Sequence, residues 1–137
     1  MKEDGPHRTL TFETPDRVIV FMGDSGPSEA LIELAKDADL LVTEGVAVED
    51  VIEVLKRNGS WQAKTPEAQK GWMLHMTQEH ITPEDGGKIA AKARVKTLVM
   101  SHLPPTLNLG DDFQRYVDAA KKHFSGRIVV ARDLMVF

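Results

Sequence analysis

The chain of 137 residues contains no cysteine. That excludes disulfides and thiolate ligands, so any bound metal must rest on His, Asp or Glu. No apolar run approaches the length of a membrane span, and the opening residues MKEDGPHR do not read as a signal peptide. A cytoplasmic protein with no membrane partner is the expectation. An excess of positive charge is also missing: 17 Lys and Arg stand against 21 Asp and Glu, a net charge of −4. Phosphate backbones are bound by basic faces, so this balance sets the expectation of no nucleic-acid partner and a small-molecule substrate instead. Internal repeats and low-complexity segments are absent. What remains is 42% apolar residues in a length that suits one domain over residues 1–137.

The organising stretch is Val18 to Ala30, VIVFMGDSGPSEA. Five apolar residues, Val18 to Met22, read as a buried strand. Gly23 permits a sharp turn, Asp24 stands at the strand's carboxyl end, and Ser28 has the chemistry of an N-cap. Ligands of open α/β sheets sit just outside the carboxyl ends of strands. Thr97 to Pro105, TLVMSHLPP, offers a second such place, with His102 past another buried strand. If those two strands are neighbours, Asp24 and His102 meet at one edge of the sheet.

Thr9 to Glu13 predicts a first strand, joined to Val18–Met22 as a hairpin through the turn residues Thr14-Pro15-Asp16-Arg17. A short helix follows over 28–36, with Leu31, Leu34 and Ala35 inward. Leu40 to Thr43 is the next strand. Val48, Val51, Ile52 and Leu55 share one helical face, which Asn58-Gly59 ends. Thr65-Pro66 and Thr82-Pro83 each open a helix with Pro in the first turn. A helix from near Asp111 buries Phe113, Tyr116, Val117 and Ala120, and two strands close the chain, Arg127 to Ala131 and Leu134 to Phe137. The resulting order is ββαβααβαββ, an α/β protein with a mainly parallel sheet and antiparallel edges. Strands apolar at consecutive positions are buried on both faces, yet the helices suffice for one face. The other is then an apolar surface that needs a partner.

Three blocks, GDSGPSEALIELAKDADLLVTE, HITPEDGGKIAAKARVKTLVMSHLPP and HFSGRIVVARDLMVF, resemble the C-terminal half of metallo-β-lactamase-fold hydrolases of the arylsulfatase and ribonuclease Z type. The resemblance implies half of an αββα sandwich. It implies that Asp24 bridges metal ions, that His102 binds one of them, and that His80 assists the leaving group, with Asp24 and His80 as the catalytic pair. The H-x-H-x-D-H cluster of that family is absent, because the chain has no H-x-H. Asp4 stands before Gly5-Pro6 where the family often has a histidine, and Thr43-Glu44 follows the third strand. Further ligands are therefore sought in His7, Glu44, His75 or a second subunit. The implied cofactor is a divalent metal, zinc or else manganese, and the implied reaction is hydrolysis of a phosphoester or related ester by metal-activated water. A homodimer packed through the bare sheet face would restore the sandwich.

Other readings stand beside this one. The chain is a non-catalytic half-domain that only associates, or a partner chain supplies the missing half. Gly23-Asp24-Ser25 also matches the Gly-Asp-Ser of serine esterases, for which Asp118 and His123 are the nearest acid and base. His123 alone reads as a cation at a helix end, and Trp72, Met73 and Met76 as packing.

Overall fold

The computed structural model describes residues 9–105 and 111–136. Strands β1 (Thr9–Glu13) and β2 (Val18–Met22) form the expected hairpin, with Thr9 opposite Met22 and Glu13 opposite Val18. Its turn closes where the Thr14 N–H donates to the Arg17 carbonyl at 2.9 Å and the Arg17 N–H to Thr14 Oγ1 at 3.0 Å. Strands β3 (Leu40–Thr43), β4 (Thr97–Met100) and β5 (Arg127–Val130) then add in parallel, giving the spatial order β1-β2-β3-β4-β5.

Every crossover moves one place in the same direction along the sheet. Parallel crossovers are right-handed almost without exception, so connections that all step the same way deliver their helices to the same face. Helices α1 (Glu29–Leu34), α4 (Pro83–Ala93) and α5 (Gln114–Lys121) are these helices. Leu31, Ile89, Ala90, Tyr116 and Ala120 from them share one core with Val20, Leu41, Leu98 and Met100 from the strands. Helices α4 and α5 pack almost backbone to backbone: a Cβ on Gly87 would lie 2.4 Å from the Ala120 carbonyl oxygen. Helices α2 (Val48–Arg57) and α3 (Pro66–Gln78) form an excursion between β3 and α4 with a small core of their own, in which Val46, Val48 and Met76 are buried against Ile52, Trp72 and Met73.

The opposite face of the sheet follows the period of two along each strand. Val42, Val99 and Val129 cluster there with Leu40 and Ala131 around them, and no described helix contributes to that cluster. Leu10, Phe12 and Phe21 lie on the same side and stay exposed.

Three expectations are corrected. The order is ββαβαααβαβ: the five helices read one by one from the sequence all form, one more than the summary order ββαβααβαββ counts, and there is one strand fewer. Leu134 to Val136 form no strand: Leu134 takes a left-handed φ of 62°, and the Met135 N–H turns back to the Arg132 carbonyl at 3.1 Å, so the backbone cannot stay extended beside β5. Phe137 lies outside the described residues. The sheet consequently has one antiparallel edge, not two. Leu34 faces solvent, because Leu31 and Ala35, one turn apart, take the inward side of α1. Helix α5 begins at Gln114, since Asp111 and Asp112 draw the N–H groups of Phe113 and Gln114 into turns through their carboxylates.

Candidate metal centre

Asp24, Glu44 and His102 each stand just past the carboxyl end of a strand, β2, β3 and β4 respectively. The Asp24 loop is held on two sides. Ser28 Oγ accepts the Leu31 N–H at 3.2 Å, as its capping chemistry predicts. Gly26 lies flat against the end of α3, where a Cβ would fall 1.6 Å from the Gln78 carbonyl oxygen. His102 sits at φ 52°, a left-handed conformation that costs a non-glycine residue about 1–2 kcal/mol. The surrounding backbone enforces it: the Ser101 N–H donates to the Thr43 carbonyl at 2.8 Å, and the His102 carbonyl accepts the Gly45 N–H at 3.2 Å. Backbone strain of this kind is concentrated at functional sites.

These constraints bring His102 Nδ1 to 3.2 Å from Asp24 Oδ1 and 3.7 Å from Glu44 Oε2. One ligand atom from each of the three residues lies within 4.8 Å of the others, a spacing that fits a single cation. Two carboxylates and one imidazole form a donor set for a divalent ion of hard or borderline character. The Asp24 and His102 side chains are 63% and 59% exposed, so the cluster is open to solvent, whereas the Glu44 side chain is 2% exposed. The two strands bearing Asp24 and His102 are not neighbours, contrary to expectation. Strand β3 lies between them, and the loops on either side meet over its end, which is why Glu44 enters the group.

Glu44 has further partners. Its Oε1 accepts the Ile81 N–H at 3.0 Å, and its Oε2 lies 3.0 Å from His80 Nδ1. The Ile81 carbonyl in turn accepts the Val46 N–H at 2.8 Å, tying the two segments together. A carboxylate only accepts, so this contact assigns the proton to His80 Nδ1 and leaves Nε2 free. The His75 ring stands edge-on to that of His80, centroids 5.3 Å apart, and His75 Nδ1 is 3.0 Å from Glu79. A five-residue spacing puts two side chains on different faces of one helix, but α3 ends at Gln78 and the chain turns back, so the two rings meet. Glu44 was foreseen only as a supplementary ligand; its signal was an acid at the exit of an apolar strand. His7 lies outside the described residues. The serine-esterase grouping does not form, because His123 Nε2 contacts Glu84 at 3.1 Å and Asp118 accepts from Gln114 Nε2 at 2.8 Å.

No protein-family model matches the sequence. The chain is 28% identical over 130 residues to ribonuclease Z of Methanosarcina acetivorans, which is 95% of this chain and 35% of that protein. It is 30% identical over 121 residues to ribonuclease Z of Thermobifida fusca, 88% of this chain and 31% of that one. Among solved structures it matches the metallo-β-lactamase fold protein YhfI of Bacillus subtilis with a TM-score of 0.65 at 22% identity, over 94% of this chain and 43% of that one. The chain is a partial metallo-β-lactamase fold. Human tRNase Z, short form, shares the fold at a TM-score of 0.53 and 19% identity, over 96% of this chain and 39% of that one.

The partial metallo-β-lactamase fold confirms the mixed sheet with helices on one face and the half-domain architecture. The chain spans about a third of the length of these curated relatives. Their names correct one expectation outright: proteins called ribonuclease Z and tRNase Z act on RNA, so the exclusion of nucleic acid and the small-molecule ester substrate are both overturned. The reasoning failed because net charge is a property of a whole chain, whereas a site that holds a metal meets a phosphate with the metal's own charge.

Proposed function

We propose that this chain carries the metal-binding and proton-donating side of a phosphodiesterase that acts on RNA. The single observation that carries the reading is the convergence of Asp24, Glu44 and His102 beside a histidine held by that same Glu44. The similarity to ribonuclease Z proteins supports the choice of an RNA phosphodiester as substrate.

In this reading Asp24 and His102 hold a divalent cation, zinc by the chemistry of the donors. Such an ion, when bound, lowers the pKa of a bound water to about 7 and polarises a phosphoryl oxygen. Glu44, the third donor of the cluster, is also a positioning residue: its two oxygens accept from His80 Nδ1 and the Ile81 N–H. Its buried carboxylate fixes the His80 ring through Nδ1–H, and the doubly protonated ring, carrying a second proton on Nε2, would pass that proton to the leaving oxygen of the cleaved ester and be left neutral. The ring of His75 packs against His80 and limits its rotation.

The test is zinc titration by calorimetry, paired with cleavage of an RNA oligonucleotide and of bis-p-nitrophenyl phosphate with and without a chelator. Binding is expected in the wild type and its loss in Asp24→Ala and His102→Ala. Cleavage is expected to stop on chelation and to fall in His80→Ala while zinc binding persists. A chain that binds no zinc, or binds it equally well in both ligand variants, is a non-catalytic associating half-domain, and the proposal fails.

A further inference from the structure

The excursion between β3 and α4 carries rings that packing does not fully employ. Trp61, in the loop before α3, meets Trp72 edge to face with ring centroids 5.5 Å apart. Trp72 and His75 are three residues apart on α3, which makes their side chains neighbours on its surface. His75 in turn meets His80 edge to face at 5.3 Å. The line of rings thus leads from Trp61 along α3 to the histidine held by Glu44, beside the metal cluster. From Trp72 to Gln78, where α3 ends against the Asp24 loop, the helix rises only about 9 Å. Trp72 leans on the small core of Val46, Val48 and Met76, but Trp61 is not part of that core and His75 is exposed. The Trp61 loop is held in place: its N–H donates to the Leu55 carbonyl at 3.0 Å, and its carbonyl accepts Gln69 Nε2 at 2.9 Å. In an edge-to-face pair the edge-on ring keeps both faces clear of its partner, so a flat group has a ring on which to stack.

The same stretch reverses the sign of the chain. Residues 56–72 hold four Lys and Arg against one Glu, in a chain of net charge −4. Lys56 pairs with Glu53 at 3.0 Å, whereas Arg57, Lys64 and Lys70 contact no carboxylate among the described residues. Lys64 is tied to the first ring's residue, its N–H donating to the Trp61 carbonyl at 3.2 Å. Unpaired cations beside aromatic rings suit single-stranded nucleic acid: the cations follow the phosphates and the rings stack the bases. We propose that α3 and the loop before it form a track for single-stranded RNA, with one base stacked at Trp61 and the strand led along Trp72 and His75 to the metal centre. A single strand is selected over a duplex because paired bases keep their faces to themselves and are met through shape and backbone. Stacking of this kind tolerates any sequence. The choice of RNA as ligand rests on the proposed phosphodiesterase reading; the position of the track rests on the rings and charges.

Trp61 and Trp72 are the two tryptophans of the chain, so its intrinsic fluorescence reports on the track alone. The experiment titrates the full chain with a short oligouridylate in EDTA, reading anisotropy with a fluorescein-labelled strand and tryptophan emission with an unlabelled one. Binding is expected to quench the emission. Affinity is expected to fall about tenfold in Trp61→Ala, the loss of one stacked base, and to return most of the way in Trp61→Phe. Replacing Lys64 and Lys70 together by Gln should weaken binding and flatten its dependence on salt. Lys36→Gln, a cation beyond α1 that pairs with Glu33, should bind as the wild type does. Each variant is checked for native circular dichroism. No binding, binding that leaves the emission unchanged, a Trp61→Ala variant as tight as wild type, or an RNA duplex bound as tightly as the single strand overturns the proposal. Because EDTA removes hydrolysis from the readout, the two readings fail separately. A chain that cleaves RNA yet shows none of these effects loses the track and keeps the activity; one that binds through Trp61 without cleaving RNA loses the activity and keeps the track.

Discussion

Replacing Glu44 by alanine tests the geometry of the site without requiring activity. The side chain is buried and satisfies two donors, the Ile81 N–H at 3.0 Å and His80 Nδ1 at 3.0 Å. A hydrogen bond to a charged group contributes about 1.5–3 kcal/mol, and a buried N–H left unpaired costs about 1–3 kcal/mol. The two losses overlap at Ile81, so a destabilisation of about 3 kcal/mol is expected, equivalent to a fall of roughly 10 °C in Tm for a chain of this size. Glu44→Gln keeps the volume and one acceptor but sets an amide N–H against one of the two donors, so it should lose about 2 kcal/mol. The decisive assay is the nitrogen-detected spectrum of the histidine rings. Wild-type His80 should carry a proton on Nδ1, and Glu44→Ala should free the ring to exchange between its tautomers. If the wild type shows His80 protonated on Nε2 alone, or if Tm and tautomer are both unmoved in Glu44→Ala, the carboxylate does not hold the ring.

Three further outcomes are expected. Gly26→Ala should push the end of α3 away from the Asp24 loop, because the added Cβ would fall 1.6 Å from the Gln78 carbonyl oxygen; overpacking of this kind costs about 1–3 kcal/mol, and calorimetric zinc affinity should drop with the thermal midpoint. Glu84 is held down to about 2 from its ordinary 4.5, chiefly by its hydrogen bond to Lys88 and next by His123. A depressed carboxyl stabilises the fold above its unfolded pKa and loses that contribution as pH falls through the folded one, so denaturant midpoints of wild type and Glu84→Gln should differ above pH 4.5 and converge toward pH 2. Saturating zinc should raise Tm, since an ion at a hundredfold excess over its Kd stabilises by about 2.7 kcal/mol, and the rise should vanish in His102→Ala.

Much of this architecture was legible because local signals agreed with one another. Val18–Met22, Leu40–Thr43 and Thr97–Met100 are apolar at every or nearly every position, and the caps Ser28, Thr65 and Thr82 each accept the N–H three residues on. Asp24 and His102 were legible through motif resemblance, and their 3.2 Å approach follows from loops that no periodicity describes. The sequence misled at Leu134–Val136, where β-forming residues meet a left-handed turn at Leu134. Glu44 was undervalued because its importance is not local: its partners are 36 and 37 residues away, on the far side of two helices. Charge counting misled on nucleic acid for the same reason, since a total carries no position.

The strand order has a consequence for how the chain acquires its shape. Each strand takes its place beside the one made just before it, so none has to be threaded between two already paired. Contacts between consecutive segments close short loops before long ones, which favours rapid folding. Residues leaving a ribosome could thus be laid down as courses of brick, with the β1–β2 hairpin as the footing. The first and last courses, Thr9–Glu13 and Arg127–Val130, each have a single neighbour among the described residues, so the two edges should fray before the middle.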